Sequence, residues 1–365
     1  MPLLTAHYGN PSSQHSYGRR AKQALTDARD SIASVLGCSP GQLFFTSGGT
    51  ESDNTAIIGA VEALRETGKR HIVTTAIEHH AVLDACRHLE QIGYEVSYVP
   101  ADEYGQVAPE SVAAAITPQT ALVSVMYANN EVGTVQPIGE IGTICRERGV
   151  LFHVDAVQAL GNLPIDLSAL PVDLMSFSAH KIGAMKGVGL LYAARHVHLQ
   201  PLLYGGSQER KKRPGTENVP GIAGFAKAIS LIPETLRHKQ SHMERLRERF
   251  LQELARQLGE DRNRYVVNGH PDADRRLGTI ANISFIGIDK ETMLMNLDLA
   301  GIAASGGSAC TSGSLEDSHV LQAMGVPSER TKSAIRFSFG LETTEQEIIE
   351  TAQKIGTITN RLRKY

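Results

Sequence analysis

The 365-residue sequence has no tryptophan, few aromatic residues (5%) and only four cysteines. The cysteines, Cys38, Cys86, Cys145 and Cys310, are widely separated and form no CxxC pair. This spacing is typical of neither a zinc site nor a disulfide scaffold, so we expect a protein of the reducing cytoplasm.

Long apolar runs and a strong net charge are also lacking. The sequence contains no run of about 18 apolar residues, and residues 1–5 do not begin a secretory signal. The formal net charge is −3, and the basic cluster at residues 210–213 is short. We therefore expect that the protein contacts neither a membrane nor nucleic acid directly.

The chain is too long for one small core and fits a large domain followed by a smaller one. Residues 16–36 have helical periodicity, and Gly37 follows as a stop signal. From there to about residue 200, short β-rich runs alternate with amphipathic segments, which predicts a mainly parallel sheet covered by helices. We expect the large domain over residues 1–235 and a small C-terminal domain over residues 236–365.

An aspartate and a lysine follow two neighbouring predicted strands. Asp155 ends the apolar run 151–155, and Lys181 follows the run 174–177. Pyridoxal phosphate (PLP) needs such a pair, because a carboxylate keeps its pyridine nitrogen protonated and a lysine holds its aldehyde as a Schiff base. The pair alone is weak evidence, since most Asp and Lys residues at strand ends are solvated.

The other predicted strands also end in groups that suit this cofactor. Residues 46–52 (TSGGTES) open a helix, and their glycines and backbone N–H groups suit a phosphate, although an ordinary N-cap turn fits equally well. Each further group also has an ordinary packed or solvated interpretation; together the strand ends predict a PLP site. These groups are a stacking ring, two amides for the phenolic oxygen and two phosphate donors: His79, Asn130, Gln158, Ser178 and His180.

Cys310 lies among small, flexible residues at 305–314. This setting predicts a mobile, exposed loop that suits a travelling nucleophile, whereas buried structural cysteine is the usual case. A thiol with a pKa of about 8.5 is only about 3% thiolate at pH 7, so a base or a protonated substrate intermediate must activate it. We assign Cys38, Cys86 and Cys145 to structural roles.

With these segments assembled, the chain resembles the cysteine desulfurases of the NifS/IscS type, in the class V aminotransferase family of fold-type I PLP enzymes. The resemblance covers nearly the whole chain and implies an α/β fold. A large domain with a mainly parallel seven-stranded sheet would precede a smaller α+β domain that carries the Cys310 loop. The most specific segments are residues 46–54, 129–133, 153–158, 176–181, 305–312 and 335–338.

The resemblance also implies a role for each candidate residue. Lys181 would hold PLP and shuttle the proton, Asp155 would pair with the pyridine nitrogen, and His79 would stack on the ring. Arg336 would grip the substrate carboxylate beside Asn130, and Cys310 would carry a persulfide. The residues implied to bind the phenolic oxygen or the phosphate are Gly49, Thr50, Asn130, Gln158, Ser178, His180 and, from the other subunit of a homodimer, Thr216.

The implied reaction removes sulfur from L-cysteine and gives L-alanine and a Cys310 persulfide. An acceptor protein, either an iron–sulfur scaffold or a tRNA-thiolation protein, would then take the sulfur for cluster, thio-cofactor or tRNA biosynthesis. No resident metal is expected, although Cys310 would touch a nascent iron–sulfur cluster transiently. Two alternatives stay open: another reaction on the same fold, such as selenocysteine lyase or transamination, and an inactive homologue truncated at its N-terminus.

Three departures from the family pattern accompany the resemblance. The chain starts after the usual first strand and its Asp-Asn-Ala-Ala-Thr-Thr-like turn, so an N-terminal segment of the small domain is expected to be missing. Met185 stands where a proline is common. The chain also stops at Tyr365, without the extended tail that some members use to dock scaffolds.

Overall fold

The computed structural model describes residues 2–261, 263–307 and 317–363. The chain forms two compact units. The first comprises residues 1–99, 109–127 and 137–236, and the second comprises residues 100–108, 128–136 and 237–365.

The first unit is built on a seven-stranded sheet. Its strands are β1 (Leu43–Thr46), β2 (His71–Thr75), β3 (Glu95–Val99), β4 (Thr120–Met126), β5 (Leu151–Asp155), β6 (Leu174–Ser178) and β7 (Gly189–Ala193). They lie in the order β1-β7-β6-β5-β4-β2-β3. Neighbours from β6 to β3 are parallel, whereas β7 runs antiparallel to both β1 and β6. The predicted α/β class with a mainly parallel seven-stranded sheet is confirmed.

Helices accompany this sheet, and the residues of its central strands are almost all buried. A parallel sheet covered on both faces requires such apolar strands. The predicted first helix is α2 (Ser16–Leu36), and Gly37 ends it in the left-handed conformation with φ 71°. The helices of this unit are α1 (Pro2–Thr5), α2 (Ser16–Leu36), α3 (Gly49–Ala63), α4 (His80–Gln91), α5 (Pro109–Ala115), α6 (Ile138–Glu147) and α7 (Val219–Ser230).

The second unit contains a three-stranded antiparallel sheet in the order β10-β9-β8, made of β8 (Tyr265–Asn268), β9 (Ile280–Phe285) and β10 (Ala334–Ser338). Phe250 and Phe337 pack in its core with ring centres 5.0 Å apart. Its helices are α8 (Ile232–Leu258, which begins in the first unit), α9 (Lys290–Leu299), α10 (His319–Ala323), α11 (Ser328–Thr331) and α12 (Glu345–Leu362).

The direction of the parallel strands positions the candidate site. Strands β2, β4, β5 and β6 all end at one edge of the first unit's sheet, where ligands of such sheets bind. Within the described parts of the chain, no helix has both the length and the apolar character needed to cross a membrane.

Candidate active site

Asp155 is the last residue of β5 and is buried, with 5% of its surface exposed. Its Oδ1 accepts the backbone N–H of Val157 at 2.9 Å. Burial raises the pKa of Asp155, and the Val157 hydrogen bond and the charges of His79 and Lys181 oppose that rise. In the structure, Asp155 is therefore near enough to His79 and Lys181 for their charges to affect its pKa.

Lys181 lies in a short 3₁₀ helix, residues 179–182, that directly follows β6. Both Lys181 and His180 are exposed in the single chain. The Ser178 hydroxyl and His180 Nδ1 are hydrogen-bonded at 2.9 Å. Burial, followed by the charge of Lys181, lowers the pKa of His180. The two predicted phosphate donors are thus neighbours at the end of one strand.

The glycine turn (residues 46–52) leads from β1 into α3. A Cβ on Gly49 would lie 2.7 Å from Val157 Cγ2 and 3.6 Å from Ser178 Cβ, so the start of α3 packs directly on the ends of β5 and β6. Backbone N–H groups in the first turn of a helix lack intrahelical partners and favour an anion. Thr50, the next residue of this turn, is exposed.

Gly189 on β7 makes the conformation of this turn possible, which the sequence patterns did not indicate. It pairs with Thr46 across the β1–β7 ladder. A Cβ on Gly189 would lie 2.5 Å from the Gly48 carbonyl and from Thr46 Oγ1. Only a residue without a side chain allows the glycine turn to approach β7 this closely.

His79 precedes α4 as its N-cap. Its Nδ1 accepts the Ala81 N–H at 3.1 Å, which fixes the orientation of the ring. The residue is half-buried. Gln158 is also half-buried, and its carbonyl accepts a hydrogen bond from the Asn162 side chain at 2.8 Å.

A buried polar cluster that the sequence analysis missed lies behind Asp155. His153, two residues earlier on β5, is hydrogen-bonded through its ring nitrogens to Ser124 Oγ at 2.8 Å and Ser176 Oγ at 2.9 Å. Asp53 Oδ1 on α3 lies 3.6 Å from His153 Nε2. Burial lowers the pKa of His153 to about 3, so the imidazole is neutral. Burial and the negative charge of Asp155 raise the pKa of Asp53.

Glu78 is a third buried carboxyl group in this region, after Asp155 and Asp53. Its Oε1 accepts hydrogen bonds from Thr75 Oγ1 at 2.7 Å and from the Met126 N–H at 2.9 Å. Burial raises its pKa to about 8.

The helical spacing of Gly49 and Asp53 is the one sequence signal that could have placed the Asp53 carboxyl group beneath the glycine turn.

Asn130 and Arg336 lie in the second unit. Arg336 Nη1 donates to the Asn130 carbonyl at 2.9 Å, so these two predicted substrate-binding residues are in contact. The backbones of Arg336 and Ser305 are also paired, with the Arg336 N–H donating to the Ser305 carbonyl at 2.6 Å. Buried Glu131, which the sequence analysis did not select, accepts the Ser318 hydroxyl at 2.5 Å.

Two predicted site residues remain. Thr216 is exposed on the loop that precedes α7. Cys310 lies outside the described residues. Among the described cysteines, burial raises the pKa of Cys38 to about 11 and, as the largest effect, the pKa of Cys86 and Cys145 to about 12, which keeps these thiols protonated.

The donor set of the first unit fits PLP. The glycine turn, Ser178 and His180 offer neutral donors for a phosphate, and Asp155 is a buried carboxylate for a protonated pyridine nitrogen. In residues 2–261, 263–307 and 317–363, no group of three or more His, Cys, Asp or Glu side chains is arranged to hold a metal ion.

Comparison with known proteins defines the family. Residues 1–350 match the model of the aminotransferase class-V family. The chain belongs to this family. The resemblance inferred from the sequence motifs is therefore confirmed.

Curated class V relatives have closely similar sequences. A cysteine desulfurase from Nostoc sp. is 47% identical over 100% of this chain and 89% of its own length. The cysteine desulfurase IscS of Methanosarcina thermophila is 45% identical over 100% of this chain and 88% of its own length.

Solved structures with similar sequences have the same fold. A NifS-like protein superimposes with a TM-score of 0.91 and 38% identity, covering 99% of this chain and 94% of its own. A structure of SspA in complex with cysteine has a TM-score of 0.80 and 33% identity, covering 93% of this chain and 92% of its own.

Proposed function

We propose that this class V protein is a PLP-dependent cysteine desulfurase that converts L-cysteine to L-alanine and delivers the sulfur to an acceptor protein. The observation that carries the proposal is the buried carboxyl group of Asp155 at the carboxyl end of β5, on the sheet edge where the segment with Lys181 follows β6. Relatives named cysteine desulfurase, 45–47% identical over the full chain, support the substrate.

Residues of the first unit, with Asn130 of the second, would bind and orient the cofactor. The glycine turn, Ser178 and His180 hold the phosphate, and Asp155 keeps a proton on the pyridine nitrogen. His79 covers one face of the ring, and Gln158 and Asn130 hydrogen-bond the phenolic oxygen. When bound, PLP supplies an electron sink that weakens the bond between Cβ and sulfur in the substrate.

The remaining residues act on the substrate. Arg336, in contact with Asn130, binds the carboxylate through a bidentate pair of hydrogen bonds. Lys181 removes the α-proton and later returns a proton. The Cys310 thiolate attacks the substrate sulfur: an S–S bond forms, the Cβ–S bond breaks, and its electron pair stays on carbon, which takes up a proton to give alanine.

The proposal extends to the assembly and location of the protein. A homodimer in which Thr216 reaches the cofactor of the other subunit accounts for a site residue that is exposed in the single chain. The acceptor is an iron–sulfur scaffold or a tRNA-thiolation protein, and the protein acts in the cytoplasm.

Alanine and protein-bound persulfide, measured together after incubation with PLP and L-cysteine, test this function. We expect both products from the unmodified protein and neither from Lys181→Ala, whose exposed position leaves the fold intact. Cys310→Ser should form no transferable persulfide. Cys38→Ser is the matched control, because burial keeps that thiol protonated, and both products should persist.

Three outcomes would contradict the proposal. Cofactor binding without any turnover of L-cysteine would indicate the inactive homologue. Full sulfur delivery by Cys310→Ser would remove the persulfide role, and release of selenium from selenocysteine with no reaction of cysteine would identify the lyase.

A further inference from the structure

The loop between β7 and α7 contains three consecutive non-glycine residues with left-handed backbone conformations. The φ angles are 43° at Glu209, 56° at Arg210 and 63° at Lys211. Single residues with side chains adopt this region uncommonly, and a run of three is strained. Such a conformation persists only where surrounding contacts impose it. We call residues 207–213 the strained loop.

Glu209 makes the contacts that hold the strained loop on β1. Its side chain is 2% exposed and forms a two-pronged ion pair with Arg29 of α2, with N–O distances of 2.5 and 3.0 Å. The same carboxylate accepts the Phe45 N–H of β1 at 2.9 Å. One buried side chain thus ties the loop to a helix and to an edge strand.

The carboxylate of Glu209 also offsets two neighbouring positive charges. Arg29 and Arg210 both donate to the carbonyl of Leu43, at 2.7 and 2.6 Å. Burial and the charge of Arg29 lower the pKa of Arg210, whereas Glu209 raises it. Without the negative charge, the two guanidinium groups would repel each other, and the loop would lose a contact that opposes its strain.

The far end of the strained loop reaches the glycine turn. Arg213 Nε donates to Glu51 Oε1 at 2.9 Å, and Glu51 Oε2 accepts the Ser47 N–H at 2.9 Å. Burial acts to raise the pKa of Glu51, but the hydrogen bonds from Arg213 and Ser47 outweigh it and lower the pKa. Glu51 is therefore ionised in the first turn of α3, where its charge would repel a phosphate unless Arg213 offset it.

We propose that Glu209 is a positioning residue for the phosphate-binding end of the active site. It fastens the strained loop to β1, so that Arg213 stays paired with Glu51 and the glycine turn accepts a doubly charged anion. The inference rests on the proposed function and adds a residue that touches neither cofactor nor substrate.

Binding of PLP and of pyridoxal, which lacks the phosphate, separates this role from a general structural one. Glu209→Gln keeps an oxygen for the Phe45 N–H and removes the charge, together with the oxygen that accepts from Arg29 Nη2. We expect its dissociation constant for PLP to rise about tenfold, the effect of losing one favourable charge interaction at a helix end. The dissociation constant for pyridoxal should change less than about twofold, since no phosphate is involved.

A second variant and a control complete the experiment. Arg213→Gln breaks the Glu51 ion pair directly, and its side chain is 24% exposed, so folding is preserved even where Glu209→Gln unfolds. It should show the same selective loss of PLP affinity. Lys211→Ala, the control, changes an exposed side chain in the same loop. This variant should bind both ligands with the affinity of the unmodified protein.

The possible results are distinct. Unchanged PLP affinity in both variants, or equal losses for PLP and pyridoxal, would overturn the positioning role while the desulfurase activity of the unmodified protein stands. An unmodified protein that binds neither ligand would overturn the proposed function, and the positioning role with it.

Discussion

Glu78→Gln should stabilise the cofactor-free protein relative to the parent, and this gain should increase as the pH rises. Glu78 is fully buried, and burial raises its pKa from 4.5 to about 8. Between these values the native state retains a proton that the unfolded chain has released, so the free energy of unfolding falls as the pH rises from about 4.5 to 8 and then levels off. Glutamine carries no titrating proton and removes this loss.

The size of the effect follows from the shift in pKa. A rise of about 3.5 units at 1.36 kcal/mol per unit corresponds to about 5 kcal/mol above pH 8 and about 3 kcal/mol at pH 7. The side-chain oxygen of the substituted glutamine can still accept from Thr75 and Met126, as Glu78 does, so the hydrogen bonds are preserved. The stability gain should therefore be close to zero near pH 4.5 and grow with pH.

Urea denaturation followed by far-UV circular dichroism, from pH 5 to pH 9, measures this gain in a protein that has no tryptophan. Cofactor-free protein is used, because bound PLP would add its own linkage to the curve. Glu66→Gln, at an exposed position, is the matched control and should leave the pH dependence unchanged. A difference between Glu78→Gln and the parent that is the same at pH 6 and pH 9 would refute a raised pKa at Glu78.

Two further substitutions test the geometry around the glycine turn. Gly189→Ala places a Cβ 2.5 Å from the Gly48 carbonyl and should lower the free energy of unfolding by about 1–3 kcal/mol and weaken PLP binding. Gly139→Ala, whose Cβ would meet open space, is the control and should change neither property. Thermal unfolding and PLP titration compare the two variants. Lys211→Gly relieves the strain of a residue held at φ 63° and should raise the free energy of unfolding, measured in urea titrations, by about 1 kcal/mol. Lys211→Ala keeps a Cβ and should bring no gain. Equal free energies of unfolding for the two variants would argue against strain at this position.

The sequence alone was informative where a signal is local. The periodicity of residues 16–36 and the glycine after them predicted α2 and its left-handed end, because both depend on neighbours within one or two turns. Asp155 and Lys181 could be selected because Asp155 ends one β-rich run and Lys181 lies shortly after the next, and parallel strands present their carboxyl ends at one edge. Their electrostatic contact in the structure is a consequence of that rule.

Contacts between distant parts of the chain could not be predicted from the sequence. Glu209 and Arg29 are 180 residues apart, and nothing in the run 210–213 distinguished a clamped loop from a solvated basic cluster. Asp53 and His153 are each ordinary polar residues until α3 is laid over β5. The assignment of residues 100–108 and 128–136 to the second unit likewise has no signal in their composition.

The sequence by itself thus determined the sheet class, the strand ends and the chemical types of the groups proposed to bind the cofactor, since these follow from short-range patterns. Only the tertiary structure decided which charges are compensated and which carboxyl groups keep their protons. Those properties depend on burial and on distances across the strand order β1-β7-β6-β5-β4, and no local pattern encodes them.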